Sequence, residues 1–155
     1  MWIELSNTWI VLLNIIGIPL AHLVLAWITT TMPNALFASA QNIPISDFEM
    51  SLHHHLFCTK KWKGLLPDAA PWMGGFAKGN LTDTSPAYLQ CFILETRRGE
   101  FSHYAQILVI SGFIAWNPWP ANLAIVGYAL VSNLPCILNL RYTRARLIRV
   151  LNKKT

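Results

Sequence analysis

Apolar positions along the chain gather into three runs, separated by one long polar stretch and one short break. Trp9 to Met32 is uncharged, with His22 its one ionisable group and Pro19 inside it. As a helix, its 24 residues extend about 36 Å, enough to cross a hydrocarbon core about 30 Å thick. Pro19 predicts a kink. A secretory leader is the competing reading, because FASAQ (Phe37 to Gln41) resembles a small-residue cleavage site. Against it, the segment before the apolar run carries Glu4 and no Lys or Arg, and the run is too long. The expectation is a retained helix.

Pro33 to Pro86 is polar and rich in Pro and Gly, and predicts short helices and loops at a membrane surface. Ala87 to Ser102 reads as an amphipathic helix started by Ser85-Pro86. Tyr104 to Leu140 contains no charged residue and is interrupted by Asn117-Pro118-Trp119-Pro120, a strong helix break. The second arm of this hairpin, Ala121 to Leu140, is long enough to span. The first arm, Tyr104 to Trp116, has 13 residues and spans only if its helix begins near Phe101 or earlier. The pattern predicts a single all-α integral membrane domain. It has about three transmembrane helices, with an amphipathic and loop segment, about 33–102, on the cytoplasmic side between the first two. One span plus a re-entrant hairpin is the alternative.

Composition agrees. The 155 residues are 54% hydrophobic and 12% charged, half the charge of an ordinary soluble domain. The charge is also one-sided. All 12 Lys and Arg follow residue 59. Six of them, Arg141, Arg144, Arg146, Arg149, Lys153 and Lys154, crowd beyond the last apolar run. The positive-inside rule places this basic tail, 141–155, in the cytoplasm and the N-terminus outside. The net charge of +5 then reports topology, and no nucleic-acid partner is expected. The first reading of Arg141, Arg144 and Arg146 is as topology anchors and anionic-lipid contacts.

Candidate chemistry concentrates in ETRRGEFSH, Glu95 to His103, at the entrance to the second apolar run. On a helix, Glu95, Gly99, Glu100 and His103 share one face, and Arg98 falls within ion-pairing reach of Glu95. Gly99 lets another backbone or a substrate approach closely. A histidine beside a carboxylate is suited to taking a proton from a hydroxyl. The plain alternative is that such charges anchor a helix end.

Other features point less far. Adjacent His53, His54 and His55 cannot all face one ion from a regular helix, so no metal is expected. Glu100 and His103 have the spacing of a di-iron ligand pair, without a second copy in the sequence. His22 reads as a packed interhelical donor. Cys58, Cys91 and Cys136 lack metal or disulfide spacing. The sequon at Asn80 lies on the cytoplasmic side, and Gly74-Gly75 with Lys78 is too short for a nucleotide loop. No cofactor is expected.

Four segments in order carry a resemblance: KKWKGLLPDAAPWMGGFAKGNL (Lys60 to Leu81), FILETRRGEFSH (Phe92 to His103), AWNPWP (Ala115 to Pro120) and YALVSNLPCILNLRYTRARL (Tyr128 to Leu147). Together they resemble the glycosyl-4,4'-diaponeurosporenoate acyltransferase family of small bacterial membrane proteins, over roughly residues 52 to 150. Leu140 and Thr143 depart from the Gln and Asn of the family pattern, and Tyr104 from a usual Trp. The resemblance implies esterification of a sugar hydroxyl on a glycosylated carotenoid, or a related glycolipid, with a fatty acyl chain. The donor would be acyl-CoA or acyl carrier protein, at the bacterial cell membrane.

On that reading His103 is the general base, oriented by Glu100 or Glu95, with Asp68 as rival base or orienter. Arg98, Lys61 and Lys63 hold the donor's phosphates, and Trp62 completes the substrate-binding set. Asn133 or a backbone amide stabilises the oxyanion. Cys136 is the lesser candidate for an acyl-carrying nucleophile. The contrasting function class is a non-catalytic membrane subunit that packs in a larger complex and binds lipid or pigment, its seven Trp serving as interface anchors. An enzyme needs the His103 face open to a cleft, whereas a subunit would close it.

Overall fold

The computed structural model describes residues 2–38 and 45–153. The C-terminal part of the FASAQ stretch and Lys154 of the basic tail lie outside the described residues. The described residues form helices and turns with no strand. Three long helices dominate: α1 (Asn7–Thr31), α5 (Pro86–Ser111) and α6 (Ala121–Asn152). Between α1 and α5 come the short helices α2 (Ala35–Ala38), α3 (Asp47–His55) and α4 (Thr59–Trp62), and 3-10 turns at Lys63–Leu65 and Ala70–Met73.

Local chemistry accounts for the ends. Ser46 caps α3, its hydroxyl accepting from the Glu49 amide at 3.1 Å. Ser85 caps α5 in the same way through the Tyr88 amide, with Pro86 in the first turn. α5 runs on to Ser111 and tightens into a 3-10 turn, Gly112–Ala115. Asn117 to Pro120 breaks the chain before α6. Pro19 lies inside α1, and Pro135 inside α6, without ending either helix.

α5 is the central element. It packs antiparallel to α6, since Leu89, Phe92 and Ile93 meet Leu147, Ile148 and Leu151 at one end. Ile110 and Phe113 meet Ile125 and Ala129 at the other. α1 also runs antiparallel to α5. Asn14 forms a reciprocal amide pair with Asn117, at 2.7 and 3.1 Å. Thr29, fifteen residues on, donates to Ser102 at 3.0 Å. Gly17 lets α1 pass close to Phe113: an added Cβ would sit 3.0 Å from that ring. α3 closes the far end of the bundle, where Met50 packs on Tyr142 and Ala145.

The all-helical expectation holds among the described residues. Two helices, α1 and α6, are long and apolar enough to cross a membrane. The predicted amphipathic segment and the first hairpin arm are a single helix, α5, with Glu95, Arg97, Arg98 and Glu100 in its middle. Those charges are matched within the protein, as described below, which is why the helix does not stop at them. α6 likewise continues to Asn152, so the basic residues share one helix with the apolar run instead of forming a separate tail. Many apolar side chains of α1 point outward, among them Trp9, Ile15, Ile16, Leu23 and Trp27. Leu108 of α5 and Val131 of α6 do the same. An apolar surface this extensive suits lipid contact.

Candidate functional site: a groove ending at His103

Along the α5–α6 seam, between the apolar clusters, lies a cavity of about 450 Å³. α5 lines it with Phe92, Gly99, Ser102, His103 and Gln106, and α6 with Cys136, Asn139, Thr143, Arg146 and Val150. These α6 positions recur every three or four residues and so form one stripe of the helix. The segment 63–81 covers it with Lys63, Asp68 and Lys78. Gly99 makes room at mid-groove. A Cβ there would lie 3.0 Å from the Leu140 side chain and 3.7 Å from Lys78 Cε.

His103 is fixed by a residue thirty positions away. Its Nδ1 lies 2.8 Å from Asn133 Oδ1. The Asn133 amide nitrogen is already committed, donating to the Ala129 carbonyl at 2.9 Å and to Ser132 Oγ at 3.0 Å. Asn133 Oδ1 is therefore an acceptor, and His103 Nδ1 carries the proton. The other ring nitrogen, Nε2, keeps its lone pair on a side chain that borders the groove, which Gln106 also lines.

Behind His103 runs a polar chain joining the three long helices. Gln106 Oε1 accepts from His22 Nδ1 at 2.9 Å, and the Tyr128 hydroxyl lies 3.3 Å from His22 Nε2. Gln106 Nε2 reaches Ser102 Oγ at 3.5 Å. His22 thus packs between helices, the role its place in an apolar run suggested.

Glu95 and Glu100 do not orient His103, contrary to expectation. Glu95 pairs with Arg98 at 3.0 Å and lies 3.9 Å from Lys78. Glu100 faces α6 and accepts from Arg144 at 2.6 Å and from Arg141 at 2.8 Å. Arg144 is 1% exposed, and a buried guanidinium must be matched by a carboxylate. That requirement takes Glu100 away from the histidine, whose ring needs only a neutral amide. Glu49 of α3 completes the cluster by binding Arg141 through both carboxylate oxygens, at 2.6 and 2.8 Å. Arg141 holds the Glu49 carboxyl below its ordinary range, against the opposing effect of burial. Arg141 and Arg144 are internal ion-pair partners, so the lipid-anchor expectation is corrected for both. Arg146 is exposed and borders the groove.

The other predicted site residues divide. Asp68 borders the groove and clamps its cover, its Oδ2 accepting from the Lys78 amide at 2.5 Å and the Gly79 amide at 3.0 Å. Lys63 borders the groove. Arg98 also borders it, but its guanidinium caps the end of α1, donating to the carbonyls of Thr29 at 2.8 Å and Met32 at 2.6 Å and to Asn34 Oδ1. It has little left for a phosphate. Lys61 is exposed on α4, and Trp62 donates its indole N–H to the Phe57 carbonyl at 2.7 Å; neither lines the groove. Asn133, with its amide nitrogen engaged, is not placed to donate to an oxyanion.

Ser102 and Gln106 escaped the sequence reading, and Lys78 figured in it only as part of a pattern too short for a nucleotide loop. Ser102 lies inside the Glu95 to His103 cluster and Gln106 three residues beyond it, and both project close to the Glu95 direction at 100° per residue. Burial pushes the Lys78 ammonium pKa down, opposed by the Glu95 and Asp68 carboxylates. Among the described residues no three His, Cys, Asp or Glu side chains form a metal-binding group. His53 instead packs against Thr59 Oγ1 at 3.0 Å.

The sequence model of one family, glycosyl-4,4'-diaponeurosporenoate acyltransferase, matches residues 49–153. The chain belongs to that family. The matched range contains most of α3, all of α4 to α6 and almost the whole groove, leaving α1 outside. Individual relatives carry the same name. One from Staphylococcus aureus (strain bovine RF122 / ET3-1) is 26% identical over 139 residues, 85% of this chain and 82% of its own length. One from Staphylococcus haemolyticus (strain JCSC1435) is 34% identical over 98 residues, 63% of this chain and 57% of its own. A third, from Staphylococcus aureus (strain Newman), is 29% identical over 104 residues, 63% of this chain and 61% of its own. The chain thus spans less than two thirds of the latter two relatives. No solved structure matches it. In this chain the run from Glu95 to His103 holds two carboxylates engaged in ion pairs and one histidine that borders the groove.

Proposed function

We propose that the protein is a membrane acyltransferase that esterifies a hydroxyl of a glycosylated carotenoid or related glycolipid. The supporting observation is His103. Its tautomer is set by Asn133, and it stands on a groove whose volume falls within the roughly 300–1,000 Å³ range of small-molecule sites. His103 Nε2 takes the proton of the acceptor hydroxyl as the oxygen attacks the acyl carbonyl. The C–S bond of an acyl thioester then breaks, and the proton passes to the departing sulfur. Lys78, which lines the same groove as His103, replaces Asn133 as the candidate for stabilising the oxyanion.

The same reading takes α1, α5 and α6 as three spans running up, down and up. The N-terminal backbone meets the interhelical turn, with the Trp2 and Ile3 amides donating to Ala115 O at 2.7 and 2.9 Å. Neither segment carries a cation, so this end faces outward and the C-terminus is cytoplasmic. Head groups then meet at the groove while acyl and carotenoid tails stay in lipid.

Mass spectrometry of lipids and pigments from cells carrying wild type or His103→Ala, at matched membrane levels, tests the proposal. The variant should lose the acylated glycolipid by 100-fold or more, about the size of a general-base effect, and accumulate its unacylated precursor. An identical lipid profile, with a larger complex failing to assemble, would support the non-catalytic subunit instead.

A further inference from the structure

The groove has two chemically different ends. His103 marks one. At the other stand Lys63, from the cover, and Arg146, from α6. Both lie 5.9 Å from the centroid of the Tyr142 ring, so one aromatic side chain supports two cations. Among the described residues neither makes an ion pair. The remaining arginines of α6 do: Arg141 with Glu49 and Glu100, Arg144 with Glu100, Arg149 with Asp47. Lys78, farther along the groove, has the Phe76 carbonyl at 2.8 Å and Glu95 at 3.9 Å. Lys63 and Arg146 are thus a like-charged couple without a counter-ion, facing a cavity. The physical consequence is visible at Lys63, whose ammonium pKa is pushed down by burial and further by Arg146. An anion between them would relieve both effects.

Spacing along α6 limits what that anion belongs to. His103 is held at Asn133, and Arg146 is 13 residues farther along the same helix, about 20 Å at 1.5 Å per residue. A molecule with its phosphates at Arg146 and its reacting carbonyl at His103 needs a long linker between the two groups. A glycerophospholipid carries its ester carbonyls only a few bonds from its phosphate and cannot occupy both ends at once. An acyl thioester on a phosphopantetheine arm has the required order: phosphate, long polar arm, thioester, acyl tail. The groove wall between the two ends offers polar groups for such an arm, at Asn139 and Thr143.

Resting on the acyltransferase reading, we infer that Lys63 and Arg146 form a phosphate subsite that takes the phosphorylated end of an acyl-thioester donor, with the arm lying along α6 and the thioester at His103. Guanidinium and ammonium groups together suit such an anion, the first by forked hydrogen bonds and the second as a point charge. Bond changes are those of the transfer itself. The acceptor oxygen bonds to the carbonyl carbon, the C–S bond breaks, and the hydroxyl proton ends on the thiol.

Binding without turnover tests this. Coenzyme A is titrated calorimetrically into the full chain in nanodiscs of zwitterionic lipid. Wild type and His103→Ala should bind it with similar affinity. Lys63→Gln with Arg146→Gln should weaken binding at least 10-fold, while the charge-keeping pair Lys63→Arg with Arg146→Lys should retain it and report that the fold tolerates change there. Unchanged affinity in the double Gln variant overturns the inference. So does a wild type that ignores coenzyme A and instead retains phosphatidylglycerol through these two residues, which would make the anion a lipid head group. If coenzyme A binds as stated but no ester forms with any acceptor, the acyltransferase reading fails alone. If esters form while neither binding nor the donor KM responds to the two cations, the subsite fails alone.

Discussion

At the scale of single residues, the decisive contact is the hydrogen bond between His103 Nδ1 and Asn133 Oδ1 at 2.8 Å. On the proposed function, Asn133 acts through the histidine, as a positioning residue. Its neutral amide sets the tautomer without adding a charge that would stabilise the protonated ring. Asn133→Asp should therefore raise the lower apparent pKa of the pH–rate profile, because a carboxylate favours imidazolium. Asn133→Leu should lower kcat about 10-fold or more with little change in donor KM. A profile unmoved in Asn133→Asp would deny Asn133 this role. The sequence disclosed the histidine but not its partner. Helical spacing identifies neighbours on one face of one helix, and so it nominated Glu100 and Glu95. Asn133 comes within reach only through antiparallel packing of α5 on α6. Glu100 is instead claimed by Arg144, whose burial could not be read from a basic cluster that looked like a solvated tail.

At the scale of elements, α5 shows why two predicted segments became one helix. Hydropathy divides it near Ser102, and its packing does not. Its polar middle is matched on one side by the α1 terminus through Arg98, and on the other by α6 through Glu100. α3 is attached to this core chiefly by Glu49 on Arg141 and by Met50 on Tyr142. The Glu49 carboxyl is held below its ordinary range, so its contribution to stability is present above the unfolded value, about 4.3. It is lost as pH falls through the lower folded value. Glu49→Gln should lower the thermal midpoint at pH 7, and the gap from wild type should narrow as pH falls below about 4.3. A gap equally wide at pH 3 would show that the ion pair is not what holds α3. The break at Asn117 to Pro120 was plain in the sequence because proline chemistry is local. The cover from Lys63 to Leu81 was not, since Asp68 shapes it by accepting amides ten and eleven residues ahead.

At the scale of the whole molecule, three long helices bring the cation-free N-terminal and turn segments to one end and most cations to the other. A groove with Lys63 and Arg146 toward one end and His103 toward the other lies between α5 and α6, an arrangement that fits the proposed acyl transfer. Composition announced helices apolar enough to cross a membrane, and the order of four short motifs announced the family. The groove itself was invisible beforehand, because it is built jointly from α6, α5 and a loop segment far apart in the chain. The measurement that tests the account most directly is thiol release by the purified full chain in nanodiscs, supplied with a long-chain acyl-CoA and a glycosylated carotenoid acceptor. Wild type should release one thiol per ester formed, and only when the acceptor is present, with His103→Ala slower by about 100-fold or more. Ester formation at the wild-type rate in His103→Ala would contradict the account.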